Sequence, residues 1–250
     1  MNGSMSHEFA FFVPQLNRIN AQQNYMIHDS ELVHRIAQVL RLQVGDTCML
    51  FDSHIHAVVT IQEILKNKTI NVRIIKSIPT IALEPTITFL LPVLKKEALE
   101  EAVYSLVETG VNRIVLVTTA KTQRHWSGDK ELQRLQRIVI AASEQAKQFA
   151  LVELIAPIQL KQALEQYVQN QKIALFFDAQ GTIVRDSLLF KKDSDKHEII
   201  ALIGPEGDLV EEEKQLADTY GFVRVKLTPT ILRASQAAAL GAGIIRSLLS

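Results

Sequence analysis

Up to about residue 80, apolar residues come in short runs with polar residues between them. Met49-Leu50-Phe51, Ala57-Val58-Val59-Thr60-Ile61 and Thr69-Ile70-Asn71-Val72-Arg73-Ile74-Ile75 are β-rich and read as strands. Gly45-Asp46 and Lys66-Asn67-Lys68 read as turns between them. Leu32, Ile36, Val39 and Leu40 instead recur at helical spacing, behind Asp29 or Ser30 as possible caps. This half predicts a small β-barrel carrying one helix.

Pro79 and Pro85 bracket a joint, since neither continuous helix nor continuous sheet tolerates that pair. Beyond it the pattern alternates. Strands are expected at Thr86–Leu91, Arg113–Thr118, Lys172–Phe177, Glu198–Ile203 and Phe222–Lys226, with a weaker one near Val152–Ile155. Helices are expected at Lys95–Thr109, Lys130–Gln148, Lys161–Asn170, Val210–Tyr220 and Ala234–Leu249, with Gly110 and Gly221 placed as C-terminal caps. Such alternation implies an α/β fold with a mostly parallel sheet and helices on both faces. The expected domains are therefore 5–80 and 81–250.

The hydrophobic share, 47% of 250 residues, is ample for cores in both. No segment is long and apolar enough to cross a bilayer, and no secretory pattern opens the chain. The one cysteine, Cys48, excludes an internal disulfide and suits a reducing, cytoplasmic setting; it reads as a core residue. Lysine plus arginine equals aspartate plus glutamate at 27 each, so a nucleic-acid surface would have to be a local patch or one assembled by two subunits.

In a parallel sheet, ligands bind beyond the carboxyl ends of the strands. Three such ends are Asp178-Ala179-Gln180-Gly181, Gly204-Pro205-Glu206-Gly207-Asp208 and Leu227-Thr228-Pro229-Thr230-Ile231-Leu232-Arg233. Glycines on either side of Pro205 let backbone approach a ligand. Glu211-Glu212-Glu213 fit the positive end of a helix better than they fit catalysis. No G-x-G-x-x-G follows a strand and no phosphate loop of the Walker type occurs; Gly241-Ala242-Gly243 lies within an apolar helix, where packing explains it. His54 and His56 share strand spacing but lack a third ligand, so no metal is expected.

The run Ile203-Gly204-Pro205-Glu206-Gly207, then Leu227 through Ile231-Leu232-Arg233, then Ala237 or Ala238 opening an apolar helix, resembles the RsmE family of RNA methyltransferases. Val39-Leu40-Arg41-Leu42, Gly45-Asp46, Leu50-Phe51-Asp52, Leu91-Pro92, Glu108-Thr109-Gly110-Val111 and Ser143-Glu144-Gln145 extend the resemblance in order along the chain. It implies a SPOUT-type domain with a C-terminal trefoil knot, behind a small PUA-like β-barrel that binds RNA. It also implies a homodimer that uses S-adenosylmethionine to methylate N3 of a uridine in 16S rRNA, within the small ribosomal subunit.

By the same resemblance Phe177, Leu202, Ile203, Gly204, Pro205, Glu206 and Gly207 would hold the cofactor from one side. Leu227, Thr228, Ile231, Leu232 and Ala237 would hold it from the other. Arg233 is the catalytic candidate, as a cation that stabilises charge on the target base. Arg41 and Arg124 are the RNA-binding candidates, with Lys66, Lys68, Arg73, His125 and Trp126 as further possible contacts. The sequence departs from the family pattern at Asp208 and Thr228, where glycine is usual, and at Arg35, where histidine is usual. It departs again at Gln148, where arginine is usual, and at Ala234-Ser235-Gln236, where Thr-Glu-Thr is common. The alternatives are a SPOUT enzyme for another rRNA or tRNA position, and a non-catalytic RNA-binding paralogue.

Overall fold

The structure is a computed structural model that describes residues 9–16, 24–65, 69–168, 173–183 and 198–249. It divides into two compact units, one comprising the chain up to Ile81 with Ser143–Leu151, the other Ala82–Ala142 with Val152–Ser250.

The first unit contains β1 (Ala10–Phe12), β2 (Asn24–Ile27), α1 (Ser30–His34), β3 (Thr47–Phe51), β4 (Ile55–Leu65) and β5 (Thr69–Pro79). Its sheet has the order β1-β3-β4-β5-β2, antiparallel except where β1 runs beside β3. The inward residues of β3, β4 and β5, Cys48 among them, pack with Leu32, Val33 and Ile36. Asp29 caps α1, its Oδ1 accepting from the backbone N–H groups of Glu31 and Leu32 at 2.9 Å. After His34 the helix widens into a π turn, Arg35–Val39, which rotates Val39 off the apolar stripe and leaves it 62% exposed. Strands β1 and β2, of three and four residues, are too short to show an alternation in sequence. The turn expected at Lys66-Asn67-Lys68 lies outside the described residues.

The second unit has β6 (Thr86–Pro92), α2 (Lys96–Glu108), β7 (Arg113–Thr118), α3 (Asp129–Ala146, its last turn in the first unit), β8 (Glu153–Gln159) and α4 (Leu160–Tyr167). These are followed by β9 (Ile173–Ile183), β10 (Glu198–Ile203), α5 (Glu211–Thr219), β11 (Val223–Lys226) and α6 (Ala234–Leu249). All six strands are parallel, in the order β11-β9-β10-β6-β7-β8. The chain moves outward from β6 to β8, then returns so that β10 slots between β6 and β9. Residues alternate cleanly between two cores. Ile173, Leu175 and Phe177 face a layer with α2, α3 and α6, while Ala174 and Phe176 face α4 and α5. Gly110 and Gly221 end α2 and α5 with φ of +80° and +82°. Arg246 of α6 donates to Pro85 O, Gly110 O and Asn112 Oδ1, tying the last helix to the first strand of the sheet.

One expected loop is a strand. Asp178-Ala179-Gln180-Gly181 continues β9 rather than leaving the sheet. Val225 pairs with Thr182 and Lys226 with Ile183 after a register shift at Arg224/Val225. A Cβ on Gly181 would lie 2.6 Å from Arg224 C and Val225 N, so glycine permits this close approach. Strand β8 reaches Gln159, beyond the run expected, because its half-exposed residues do not form an unbroken apolar stretch. No helix among the described residues is long and apolar enough to span a membrane.

Candidate functional site

Near the middle of β9 and the chain leaving β11 lies an open concavity. Its walls are Phe177, Asp178 and Ala179 from β9, Lys226 through Thr228 and Thr230 through Leu232 from β11 and its loop, and Ala237 from α6. Apolar Phe177, Leu227, Leu232 and Ala237 offer a surface for a flat ring, with Asp178, Lys226 and Thr228 providing polar groups. Gly241, one turn further along α6, makes room for Phe177; a Cβ there would sit 2.2 Å from its ring.

The loop after β10 is held at many points. Glu206 accepts from Lys95 N at 3.1 Å, and Lys121 Nζ donates to Gly207 O at 2.7 Å. Glu213, in the first turn of α5, accepts from Val210 N and from Ala120 N. Asp208 is left-handed, with φ +60°, and its Oδ1 accepts from Leu209 N at 2.8 Å. Its other carboxylate oxygen lies 2.6 Å from Lys214 Nζ, which also donates to Asp178 Oδ2 at 3.2 Å. Burial pulls the Lys214 ammonium down, but hydrogen bonds and charges from Asp208 and Asp178 outweigh it and hold its pKa above the usual lysine value.

The loop after β11 is held lightly. Thr228 Oγ1 donates to Thr230 O at 2.7 Å, a contact local to the loop. Ile231 is 87% exposed, and Arg233 is exposed immediately before α6, its carbonyl accepting from Ala237 N.

A family model described as the RNA methyltransferase domain matches residues 82–246. The chain belongs to that family. Among curated RNA methyltransferases it is 28% identical to ribosomal RNA small subunit methyltransferase E of Synechocystis, over 87% of this chain and 71% of that protein. It is 25% identical to the Rickettsia conorii protein of the same name, over 86% of each. The Neisseria gonorrhoeae ribosomal RNA small subunit methyltransferase E, solved bound to S-adenosyl methionine, superposes with a TM-score of 0.82 at 24% identity, covering 97% of this chain and 98% of that one.

Against this family background the sequence-predicted residues separate. Phe177, Leu227, Thr228, Ile231, Leu232 and Ala237 line the concavity together. Gly204 through Gly207 form the restrained neighbouring loop, and Glu206 uses a carboxylate oxygen to hold the start of α2. Leu202 is fully buried in the core beside α4 and α5, and Ile203 in the opposite core. Arg233 is next to the concavity in sequence but is not among its walls.

Of the RNA-binding candidates, Arg41 is exposed in a left-handed turn of the first unit, φ +56°, and Arg73 is exposed on β5. Arg124 donates to Leu94 O at 2.6 Å and pairs with Glu131, while Trp126 packs against the core. Lys66 and Lys68 lie outside the described residues. His56 stacks on Phe149, and burial followed by the Lys76 charge lowers its pKa. Arg35, where the family has histidine, pairs with Glu144 at 2.6 Å; Glu144 also accepts from Phe12 N.

Sequence reasoning named Asp178-Ala179-Gln180-Gly181 as a ligand-binding end but as a loop, and did not count Asp178 among the cofactor residues. The structure places it within β9 at the pocket wall. Sequence reasoning missed Lys214. The signal was present: Val210, Lys214 and Ala217 follow helical spacing, so a lysine occupies the inward stripe of α5.

Proposed function

We propose that the protein transfers a methyl group from S-adenosylmethionine to N3 of a uridine in the 16S rRNA of the small ribosomal subunit. The observation that carries this reading is the concavity built jointly by the middle of β9, the loop after β11 and the start of α6. Its mixture of apolar wall and polar rim suits an adenosine with an amino-acid tail. Support for the substrate comes from relatives named ribosomal RNA small subunit methyltransferase E, and the N3 position is what the resemblance to the RsmE family implies.

When bound, the cofactor supplies a methyl group on a sulfonium, so the electrophile is its own. Phe177, Leu227, Leu232 and Ala237 would flank the purine, and Thr228 would offer an acceptor to its polar edge or ribose. The protein must then orient uridine N3 in line with the methyl group and exclude water. N3 carries a proton at neutral pH, and losing it spreads negative charge onto the flanking carbonyls. Arg233 remains protonated and is suited to stabilise that charge; it is a poor base.

We further read the second unit as SPOUT-type with a C-terminal trefoil knot, and the first unit as a PUA-like RNA-binding barrel presenting Arg41. Arg124 would contribute to RNA through the loop it steadies. Exposed Leu240 and Leu248 on α6 favour a homodimer, and a cytoplasmic location follows from the substrate.

Two measurements test the proposal. Titration calorimetry should show binding of S-adenosylmethionine. Mass spectrometry of 16S rRNA from a deletion strain should show one uridine losing N3-methylation, restored by the wild-type gene. A chain that binds the cofactor but whose loss leaves 16S rRNA unchanged and alters another RNA would move the target. A chain blind to the cofactor would be an RNA-binding paralogue.

A further inference from the structure

We infer that Lys214 is a positioning residue that bridges Asp178 on β9 and Asp208 after β10, locking the wall of the cofactor pocket to the neighbouring loop. The inference rests on the reading of that pocket as the S-adenosylmethionine site.

Three elements meet at one ammonium. Lys214 Nζ lies 2.6 Å from Asp208 Oδ2 and 3.2 Å from Asp178 Oδ2, and Lys214 and Asp178 are only 6% and 5% exposed. Bare stability does not call for such a group. A buried ion pair recovers little more than its desolvation cost, and an apolar side chain of like volume serves a core as well. What the pair supplies is direction.

Asp178 lines the pocket, and its remaining oxygen Oδ1 accepts from Gln180 N at 2.8 Å. Both carboxylate oxygens are thus engaged, and the backbone of residues 178–180 is fixed at the pocket wall.

On the other side, Asp208 occupies φ +60°, a conformation glycine adopts freely and other residues adopt at some cost. The resembled family usually has glycine there. A side chain at this position provides both a cap for Leu209 N and the second anchor for Lys214. Asp208 and Lys214 therefore act as a matched pair, in which the departure from glycine makes sense only with the lysine opposite.

The test compares wild type, Lys214→Met, Lys214→Arg and the double variant Asp178→Asn/Lys214→Met. Calorimetry with S-adenosylmethionine is one readout, and amide hydrogen exchange of the cofactor-free protein is the other. Lys214→Met should weaken cofactor binding about tenfold or more, as expected when a supporting contact lets a site drift by a fraction of an ångström. KM for the cofactor should rise more than kcat falls. Exchange should quicken at residues 178–180 and 207–209 together. Lys214→Arg should restore most of the affinity. Should Lys214→Met fold too poorly to titrate, the double variant leaves no orphan buried carboxylate and carries the same expectation.

Wild-type affinity and unchanged exchange in either variant would overturn the inference and leave the cofactor reading standing. Quicker exchange at both segments in a chain whose wild type does not bind S-adenosylmethionine would overturn the cofactor reading and leave the lock.

Discussion

The loops after β10 and after β11 do adjacent work with opposite construction. The first is tied to Lys95, Lys121 and Lys214, and through Lys214 to Asp178. The second has a hydrogen bond between neighbouring threonines, an isoleucine almost wholly in solvent and an exposed arginine. Elements that must change partners are drawn from the less restrained parts of a structure. A cradle with one side built in advance and the other left to be closed suits a small cofactor followed by a large RNA. The restrained loop steadies the β9 wall through Lys214 and Asp178, and the loose loop, which lines the concavity itself, is free to adjust around what binds there.

The largest effect should come from the loose side. Arg233→Ala is expected to slow methyl transfer by about 10²–10³-fold, the usual loss when a donor aimed at developing charge is removed. Cofactor affinity should stay within a few-fold. Single-turnover kinetics at saturating S-adenosylmethionine checks the first part and calorimetry the second. Equal losses in both would mean that Arg233 acts on the cofactor and not on the target base.

Gly241→Ala attacks the floor that both sides share. The new methyl would meet the Phe177 ring at 2.2 Å, so the ring must turn into the concavity. Overpacking of this kind costs about 1–3 kcal/mol of stability. Denaturant titration should find that loss together with weaker cofactor binding; a stable protein with full affinity would show that Phe177 is not fixed.

Gly204→Ala should cost less, about 1–2 kcal/mol, by pressing a methyl against Asp208 Oδ1 at 2.8 Å. Combined with Asp208→Gly, the loss should shrink below the sum of the two single effects, because they share one contact. Strict additivity in a double-mutant cycle would place the strain elsewhere.

The sheet was readable because its four central strands, β9, β10, β6 and β7, are buried on both faces over most of their length. Ile199 through Ile203 alternates between two cores without a polar interruption, and such runs announce themselves. The site was readable in part. Gly204-Pro205-Glu206-Gly207 and Leu227 through Leu232 were found by position and resemblance. Phe177 on β9 was found the same way, but the stretch after it was read as a loop, because Asp178-Ala179-Gln180-Gly181 has the composition of a turn, and only pairing with a bulged β11 keeps it in the sheet. That is a long-range constraint, invisible to local pattern. Lys214 was the opposite case. Its helical register gave the burial away, but no local rule named Asp178, 36 residues earlier, as a partner.

The smallest effect separates exposed restraint from buried restraint within the loop after β10. Lys121 Nζ reaches Gly207 O at 2.7 Å from an exposed side chain, whereas Lys214 is itself buried and meets Asp178 out of solvent. Water competes for the first contact and salt screens its charge, so its net worth is at most about 1 kcal/mol. Lys121→Ala should therefore leave stability nearly unchanged and cofactor affinity within about threefold, with the difference fading as salt is raised. The result is read against Lys214→Met in the same buffers. If Lys121→Ala weakens cofactor binding as much as Lys214→Met does, and salt does not diminish the effect, then restraint in this loop comes from its rim. The contrast with the loop after β11 would then be one of contact number alone, since burial would no longer distinguish the two.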